Sequence, residues 1–409
     1  MTIEPSAPVH GEEEKQAIVR ASETWGRNHG EHSIAFENQL SEYLDAKHVT
    51  LVNSGSSANF AALMAMTSEM VPENRRLNQG DEVITAAMGF PTTVSPIIYA
   101  GAVPVFVDVE KGTGNINPEQ VREMITDKTK VIMVAHTLGN PFNIDEIRDI
   151  CEEHELTLIE DNCDALGSEW NSKRTGTFGH IGTSSFYPAH HISTGEGGAV
   201  YTNNAILSRA IKSMVSWGRD CFCGPAQDNV CGHRYDQQHG DLPHGYDHKN
   251  TYTNFGFNFK MVDIQAAIGV EQMKRLDGFT TARRYNHDYI TEVFSQYKDW
   301  FVLPEVYEGA NPSWFGYIVE VAEDAPFTKR ELELFLDEAG IKSRALFCGN
   351  ITKQPVLSSG RFEYKAHPDL SVSDRMMENA FWIGVHPAIG EREREYMKEQ
   401  ITNFMSEYL

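Results

Sequence analysis

The chain has 409 residues, with 58 acidic against 35 basic side chains, a formal charge of −23, 41% hydrophobic and 10% aromatic residues. This is a globular composition at a length that predicts two or three core-bearing units, and the acidity excludes a nucleic-acid or anionic-membrane binder, which needs basic patches. The opening MTIEPSAPVHGEEEK shows no targeting region and no apolar run reaches about 18 residues, so a cytoplasmic protein is expected, whose six cysteines serve metal or redox chemistry rather than disulfides.

In chain order, apolar residues at helical spacing predict helix over 11–48. The run HVTLV then breaks at Asn53-Ser54-Gly55-Ser56-Ser57, and an Ala-rich helix begins. Free N–H groups and the dipole at such a helix start suit an anion at Gly55, Ser56 and Ser57, with an ordinary N-cap as the competing reading. EVITAAMGFPTTVSPIIYAGAVPVFVDV reads as strand, turn, helix, strand, with Phe90 in the turn and Asp108 capping the second strand. VIMVAHTLGNPFNIDEIRDICEEHELTLIEDNCDA repeats the pattern. Such β-α-β units predict a mostly parallel sheet flanked by helices. Asp161 ends a buried strand, where ligands bind in these sheets, with Cys163 and Asp164 just beyond.

TSSFYPAHHISTGEGGAV reads as strand, exposed turn and return strand, and gathers Ser185, Tyr187, His190 and His191. Residues 216–256 are rich in Gly, His, Asp and Asn and predict a long functional loop. Cys221, Cys223 and Cys231 lie in it, but C-x-C-x7-C matches neither the usual zinc pairs nor the plant ferredoxin spacing. Alone it leaves a metal site and free thiols equally open. FNFKMVDIQAAIGVEQMKRLDGF returns to helix, and a smaller α/β unit follows from about 276. Cys151 and Cys348 read as small core residues, and His191 as packing or a supporting contact.

Taken together, SSFYPAHH followed by GEGG, the FPTT…GAVPVFVD segment, EDNCDA and NFKMVDIQAAIG resemble the DegT/DnrJ/StrS sugar aminotransferase family over essentially the whole chain. The resemblance implies the α/β fold of PLP-dependent transferases of the aspartate aminotransferase kind. A large cofactor domain would span 1–275, carrying the 216–256 loop as an insert, and a small C-terminal domain 276–409. Gly55, Ser56, Ser57 and Ser185 would bind the cofactor, Phe90 would stack on its ring, and Asp161 would pair with the pyridine nitrogen. Asn258 would reach the phosphate in the neighbouring subunit, which implies a homodimer with shared sites.

Two positions depart from the family pattern. The Schiff-base lysine position holds His190, and imidazole forms no imine. The cofactor is therefore expected to be held non-covalently and supplied as the amine, pyridoxamine 5′-phosphate (PMP), with His190 moving protons. Asp164 stands where the family more often carries His or Gln. Cys163 and the loop cysteines complete C-x57-C-x-C-x7-C, which resembles the iron–sulfur, PMP-dependent 3-dehydrases of deoxysugar biosynthesis within the family. That likeness implies a [2Fe–2S] cluster on Cys163, Cys221, Cys223 and Cys231, His190 as base, Asp161 supporting the ring, Asp164 at the site edge, and Tyr187 assisting electron or proton transfer. The substrate would be a nucleotide-linked 4-keto-6-deoxyhexose, CDP-linked, dehydrated at C3 and reduced to a 3,6-dideoxy-4-keto sugar. With no flavin or NAD motif in the chain, electrons would come from a separate NAD(P)H-dependent reductase or ferredoxin-like donor. The alternatives are a PMP-dependent 3-dehydratase without redox chemistry, a TDP-linked 2,6-dideoxy substrate, and a silent sugar-nucleotide binder.

Overall fold

The computed structural model describes residues 1–23, 29–223 and 227–409, so short pieces of the predicted 11–48 helix and of the 216–256 loop lie outside it. Helices Glu12–Ser22 and Glu31–Leu44 occupy the first stretch. The strands in chain order are β1 (His48–Val52), β2 (Glu82–Ala86), β3 (Val103–Val107), β4 (Thr129–Ala135), β5 (Thr157–Asp161), β6 (Glu169–Trp170), β7 (Lys173–Arg174), β8 (Ile181–Ser185), β9 (Gly198–Thr202), β10 (Phe301–Val302), β11 (Ala310–Asn311), β12 (Gly316–Val321), β13 (Ser343–Ala345), β14 (Lys365–Ala366) and β15 (Ala380–Gly384).

Eight of them form one sheet in the order β1-β9-β8-β5-β4-β2-β3-β14, and only β9 runs against the rest. Its central strands are near-continuous apolar runs because both faces are covered. Alternate residues of β4 divide between the two faces. Val131 and Met133 pack towards Ala58, Ala62 and Ile211 of the helices Gly55–Ala65 and Ala205–Val215. Ile132 and Val134 pack towards Val121 and Ile147 of the helices Pro118–Met124 and Ile144–Glu153. Crossover helices on both faces are what parallel neighbours require. The antiparallel β9 is reached from β8 through residues 186–197, a longer and mostly buried or half-buried connection rather than the exposed turn predicted for SSFYPAHH…GEGG, with Tyr187, Gly195 and Glu196 exposed.

A second, antiparallel sheet, β10-β12-β15-β13, packs with helices Leu276–Ser295, Lys329–Glu338 and Glu391–Ser406 through Phe294, Leu332, Leu336, Ile401 and Phe404. Two links run against chain order. Ile3 bridges Ile341, and β14 adds itself to the edge of the large sheet beside β3. A short β11-β6-β7 sheet completes the strands. Asp108 does more than cap its own strand. Its carboxylate accepts the Val372 and Ser373 N–H groups at 2.8 Å each, holding the first turn of helix Ser371–Asn379 through the positive end of its dipole. Among the described residues no helix is long and apolar enough to cross a membrane.

Candidate active site

The parallel strands deliver their C-terminal ends to one edge of the sheet, and the candidate residues collect there. Asp161 ends β5 and is 5% exposed. Its Oδ2 accepts from Asn59 Nδ2 and Thr93 Oγ1, both at 2.7 Å, and its Oδ1 from the Cys163 N–H at 3.2 Å. Asn59 is fixed in turn by Thr183 Oγ1, which donates to its Oδ1 at 2.7 Å. A buried carboxylate with donors on both oxygens is held in one orientation. Asn59 and Thr93 are not legible as its holders in the sequence, because they lie 102 and 68 positions from Asp161.

Beside it, β1 ends at Val52 and the chain turns into helix Gly55–Ala65. Ser54 caps this helix by accepting the Ser57 N–H at 3.1 Å, so the N-cap reading holds for that group. The N–H groups of Gly55 and Ser56, the first of the helix, have no intrahelical acceptor. Gly55 is required by space, since a Cβ there would lie 2.4 Å from Ser185 Cβ at the end of β8. Gly198 is as tightly held: its Cβ would meet Ser54 O at 2.6 Å and Ser184 O at 2.8 Å. Both obstacles are backbone. Gly198→Ala is therefore expected to cost roughly 1–3 kcal/mol of stability, read as a lowered thermal midpoint, while Gly195→Ala, which meets nothing within 4 Å but sits at φ +84°, tests backbone strain alone. Phe90 precedes helix Pro91–Tyr99 and stands 53% exposed.

His190 lies in the β8–β9 connection. Its Nε2 is 3.2 Å from Asp164 Oδ1, and both side chains are only 15% exposed. The two departures from the family pattern are thus one paired unit. The other imidazole nitrogen, Nδ1, is buried with no hydrogen-bond partner among the described residues. The ring leans on Phe315 at 5.2 Å and meets the edge of Tyr187 at 6.3 Å. Burial pushes the Asp164 carboxyl above its usual range, against the pull of His190. The His190 carbonyl accepts from Arg283, a fully buried guanidinium that also holds the carbonyls of Trp314 and Phe315. His191 plays the structural part: its Nε2 lies 2.7 Å from Ser313 O, and burial, with Arg283 nearby, drives its pKa well below the ordinary value.

The cysteines divide. Cys221, Cys223 and Cys231 line one small cavity with Arg234, His248 and Lys249, and Cys163 does not line it. Cys163 instead stands against Asp161 and Thr183, where burial and the Asp161 charge raise its thiol well above the ordinary pKa. Cys223 is held down despite its burial cost by hydrogen bonds from the Val230 backbone, the Cys221 thiol and the Cys231 backbone. Asn258 is exposed and pairs through its backbone with Ser216. Next to it, a residue the sequence does not single out, Lys260 Nζ sits 3.3 Å over the Trp217 ring with no hydrogen-bond partner among the described residues, and burial lowers its pKa to about 8.

A helix start with two N–H groups lacking an intrahelical acceptor, a buried carboxylate and an imidazole–carboxylate pair thus stand at one edge of the sheet. The chain belongs to the DegT/DnrJ/EryC1/StrS aminotransferase family, whose profile matches residues 8–402. It is 45% identical over 402 residues to the lipopolysaccharide biosynthesis protein RfbH of Salmonella typhimurium, covering 98% of this chain and 91% of that one. It is likewise 45% identical over 404 residues to the dTDP-4-dehydro-2,6-dideoxy-D-glucose 3-dehydratase of Saccharopolyspora spinosa, covering 99% and 87%. Among solved structures it superposes on the Escherichia coli GDP-4-keto-6-deoxy-D-mannose-3-dehydratase with bound hydrated PLP at a TM-score of 0.86 and 29% identity, covering 98% of this chain and all of that one. The fold is that of the PLP-dependent aminotransferases.

Proposed function

We propose that the protein removes the C3 hydroxyl of a nucleotide-linked 4-keto-6-deoxyhexose, CDP-linked, with PMP as cofactor and His190 as base, and that the dehydrated sugar is then reduced by electrons passed through a [2Fe–2S] cluster. The observation that carries this reading is the His190–Asp164 pair at the position of the family's lysine. PMP supplies, when bound, an amine for the sugar's C4 carbonyl and a ring that accepts an electron pair.

The chain's own groups fit that cofactor. The Gly55 and Ser56 N–H groups, with the Ser57 and Ser185 hydroxyls, bind its phosphate, as a helix start favours. Asp161 keeps the ring nitrogen protonated, and Phe90 covers a ring face. Asp164 holds Nε2 of His190 and so orients the imidazole that accepts the proton from the carbon beside the amine. That proton leaves with the C3 hydroxyl as water. Tyr187, against His190, closes the same wall.

Loss of water leaves the sugar two electrons and two protons short of the 3,6-dideoxy product. Cys221, Cys223 and Cys231 around one cavity, with Cys163 beside Asp161, are the ligands we assign to the cluster, and single-electron carriage is what such a cluster supplies. A separate NAD(P)H-dependent reductase or ferredoxin-like protein must feed it. A homodimer with shared sites is supported by an apolar face beside Asn258. There Phe255 is 98% exposed, and Phe60, Tyr99 and Phe257 pack ring to ring at 5.7–6.4 Å with Tyr99 largely uncovered.

A second reading, 3-dehydration without redox chemistry, is favoured by the separation of Cys163 from the cavity of the other three. The 45% identity to a dTDP-sugar 3-dehydratase keeps a TDP-linked substrate beside the CDP-linked one. Anaerobic absorption with iron and sulfide analysis decides between the two chemistries. About two irons and two sulfides per chain, absent in Cys221→Ser, are expected. An iron-free protein after cluster reconstitution would leave the non-redox dehydratase.

A further inference from the structure

The 216–256 loop gathers a second set of ligating side chains apart from its cysteines. Asp220, His239 and His248 each offer one ligand atom, and these atoms lie within 4.8 Å of one another. His248 is 4% exposed, and its Nε2 is 2.7 Å from Asp220 Oδ2. The His239 ring stacks on it with centroids 4.7 Å apart, and His239 Nε2 is buried with no hydrogen-bond partner among the described residues. An orphaned buried nitrogen is costly to keep, and this one stands beside a carboxylate and a second imidazole.

The frame around the three groups is fixed. Arg209 Nη2 donates to Asp220 Oδ1 at 2.8 Å, which turns Oδ2 to the histidines. The Asp220 N–H donates to Thr251 O and the His248 N–H to Arg234 O, both at 3.0 Å. Arg234 in turn grips Asp247, the residue before His248, through Nε at 2.7 Å and Nη2 at 2.9 Å. Two imidazoles and one carboxylate are a donor set for borderline divalent ions, zinc foremost. Zinc–ligand bonds of about 2.0–2.1 Å place tetrahedral ligand atoms about 3.3 Å apart. The three ligand atoms lie within 4.8 Å of one another, so binding requires the His239 side chain to turn towards Asp220 and His248.

We propose that Asp220, His239 and His248 bind a zinc ion, with water completing its coordination. The site adjoins the cysteine cavity, which His248 also lines, but uses none of its thiolates. Asp220 precedes Cys221, and His248 Nδ1 lies 4.0 Å from Cys231 Sγ. The ion would therefore tie together the two stems of the loop that carry the cysteines.

Cobalt(II) added anaerobically to the full-length, cluster-loaded protein tests this, because its spectrum reports ligand type. Nitrogen and oxygen ligands give weak visible bands, whereas thiolates add intense near-ultraviolet charge transfer. The expected result is one cobalt per chain without charge transfer, displaced by zinc. Binding should weaken by at least about tenfold in His239→Ala and in Asp220→Asn, which keeps the hydrogen-bonding shape. His233→Ala, an exposed histidine paired with Asp236, should bind as wild type does. Cobalt that shows thiolate charge transfer lost in Cys231→Ser, or that binds His239→Ala undiminished, would overturn the proposal, and so would no binding at all. Iron measured in the same samples separates this outcome from failure of the iron–sulfur reading.

Discussion

Exchanging His190 for Asn should lower dehydration by roughly 10²–10⁴-fold, the usual contribution of a positioned proton-transfer group, while cofactor affinity stays close to that of wild type. The asparagine amide is smaller than the imidazole, stands where Nδ1 stood, and does not reach Asp164 Oδ1 as Nε2 does at 3.2 Å. It cannot accept a proton. The groups assigned to the phosphate and the ring, Gly55, Ser56, Ser185 and Asp161, do not depend on the imidazole. Absorbance titration with PMP checks binding, and loss of the C3 hydroxyl followed by mass spectrometry in a single turnover checks chemistry. Wild-type rates in the variant would remove His190 from the role of base. Asp164→Asn should act more gently, because the hydrogen bond to Nε2 survives and only its charge is lost.

The second large effect concerns stability in acid. His287 is buried in the C-terminal layer, stacked on Trp314 with centroids 3.7 Å apart, and burial lowers its pKa to about 3. The folded protein keeps this imidazole neutral down to about that pH, whereas the unfolded chain protonates it below about 6.5. Its contribution is therefore intact above 6.5 and lost as pH falls, at about 1.4 kcal/mol per pH unit. His386, lowered by burial to about 4, acts in the same sense. Glu110 opposes them: burial, with Glu146 and Glu119 nearby, raises it to about 7, so its contribution is present in acid and lost as pH rises through that value. The difference between wild type and His287→Gln isolates one group. At pH 7 the variant should be the less stable, having lost the Trp314 stack. By pH 4.5 the gap should narrow by about 2–3 kcal/mol, measured in urea unfolding curves. Curves that stay parallel across that range would mean that His287 protonates in the folded state.

The sheet is legible in the sequence because its strands announce themselves: VPVFV, VIMVA and TLIED are largely apolar runs closed by polar or turn residues, and Asp161 stands where such a strand must end. The return into β9 is legible in GEGG, whose Gly198 leaves no room for a side chain. What escaped are relations between distant positions. Nothing local ties Asn59 and Thr93 to Asp161, Asp164 to His190, or Arg283 to the carbonyl of His190. Asp108 looked like a strand cap, yet it serves a helix 264 positions away. Side-chain type and spacing report on neighbours along the chain, while these contacts exist only after the layers have packed. The cysteine pattern shows the same limit: three of the four converge through their own loop, and the fourth is placed by β5.

The bridge between Ile3 and Ile341, reinforced by the Glu4 carbonyl 2.9 Å from His386 Nε2, also has a meaning in time. A ribosome working at about 5–20 residues per second needs roughly 20–70 s to make the intervening stretch of about 340 residues. Throughout that interval the nascent amino-terminal segment has no partner to pair with, although the β-α-β units behind it can already compact. Synthesis order and assembly order are inverted for this one strand-like segment, and a translation pause before residue 341 would lengthen its exposure to proteases and chaperones.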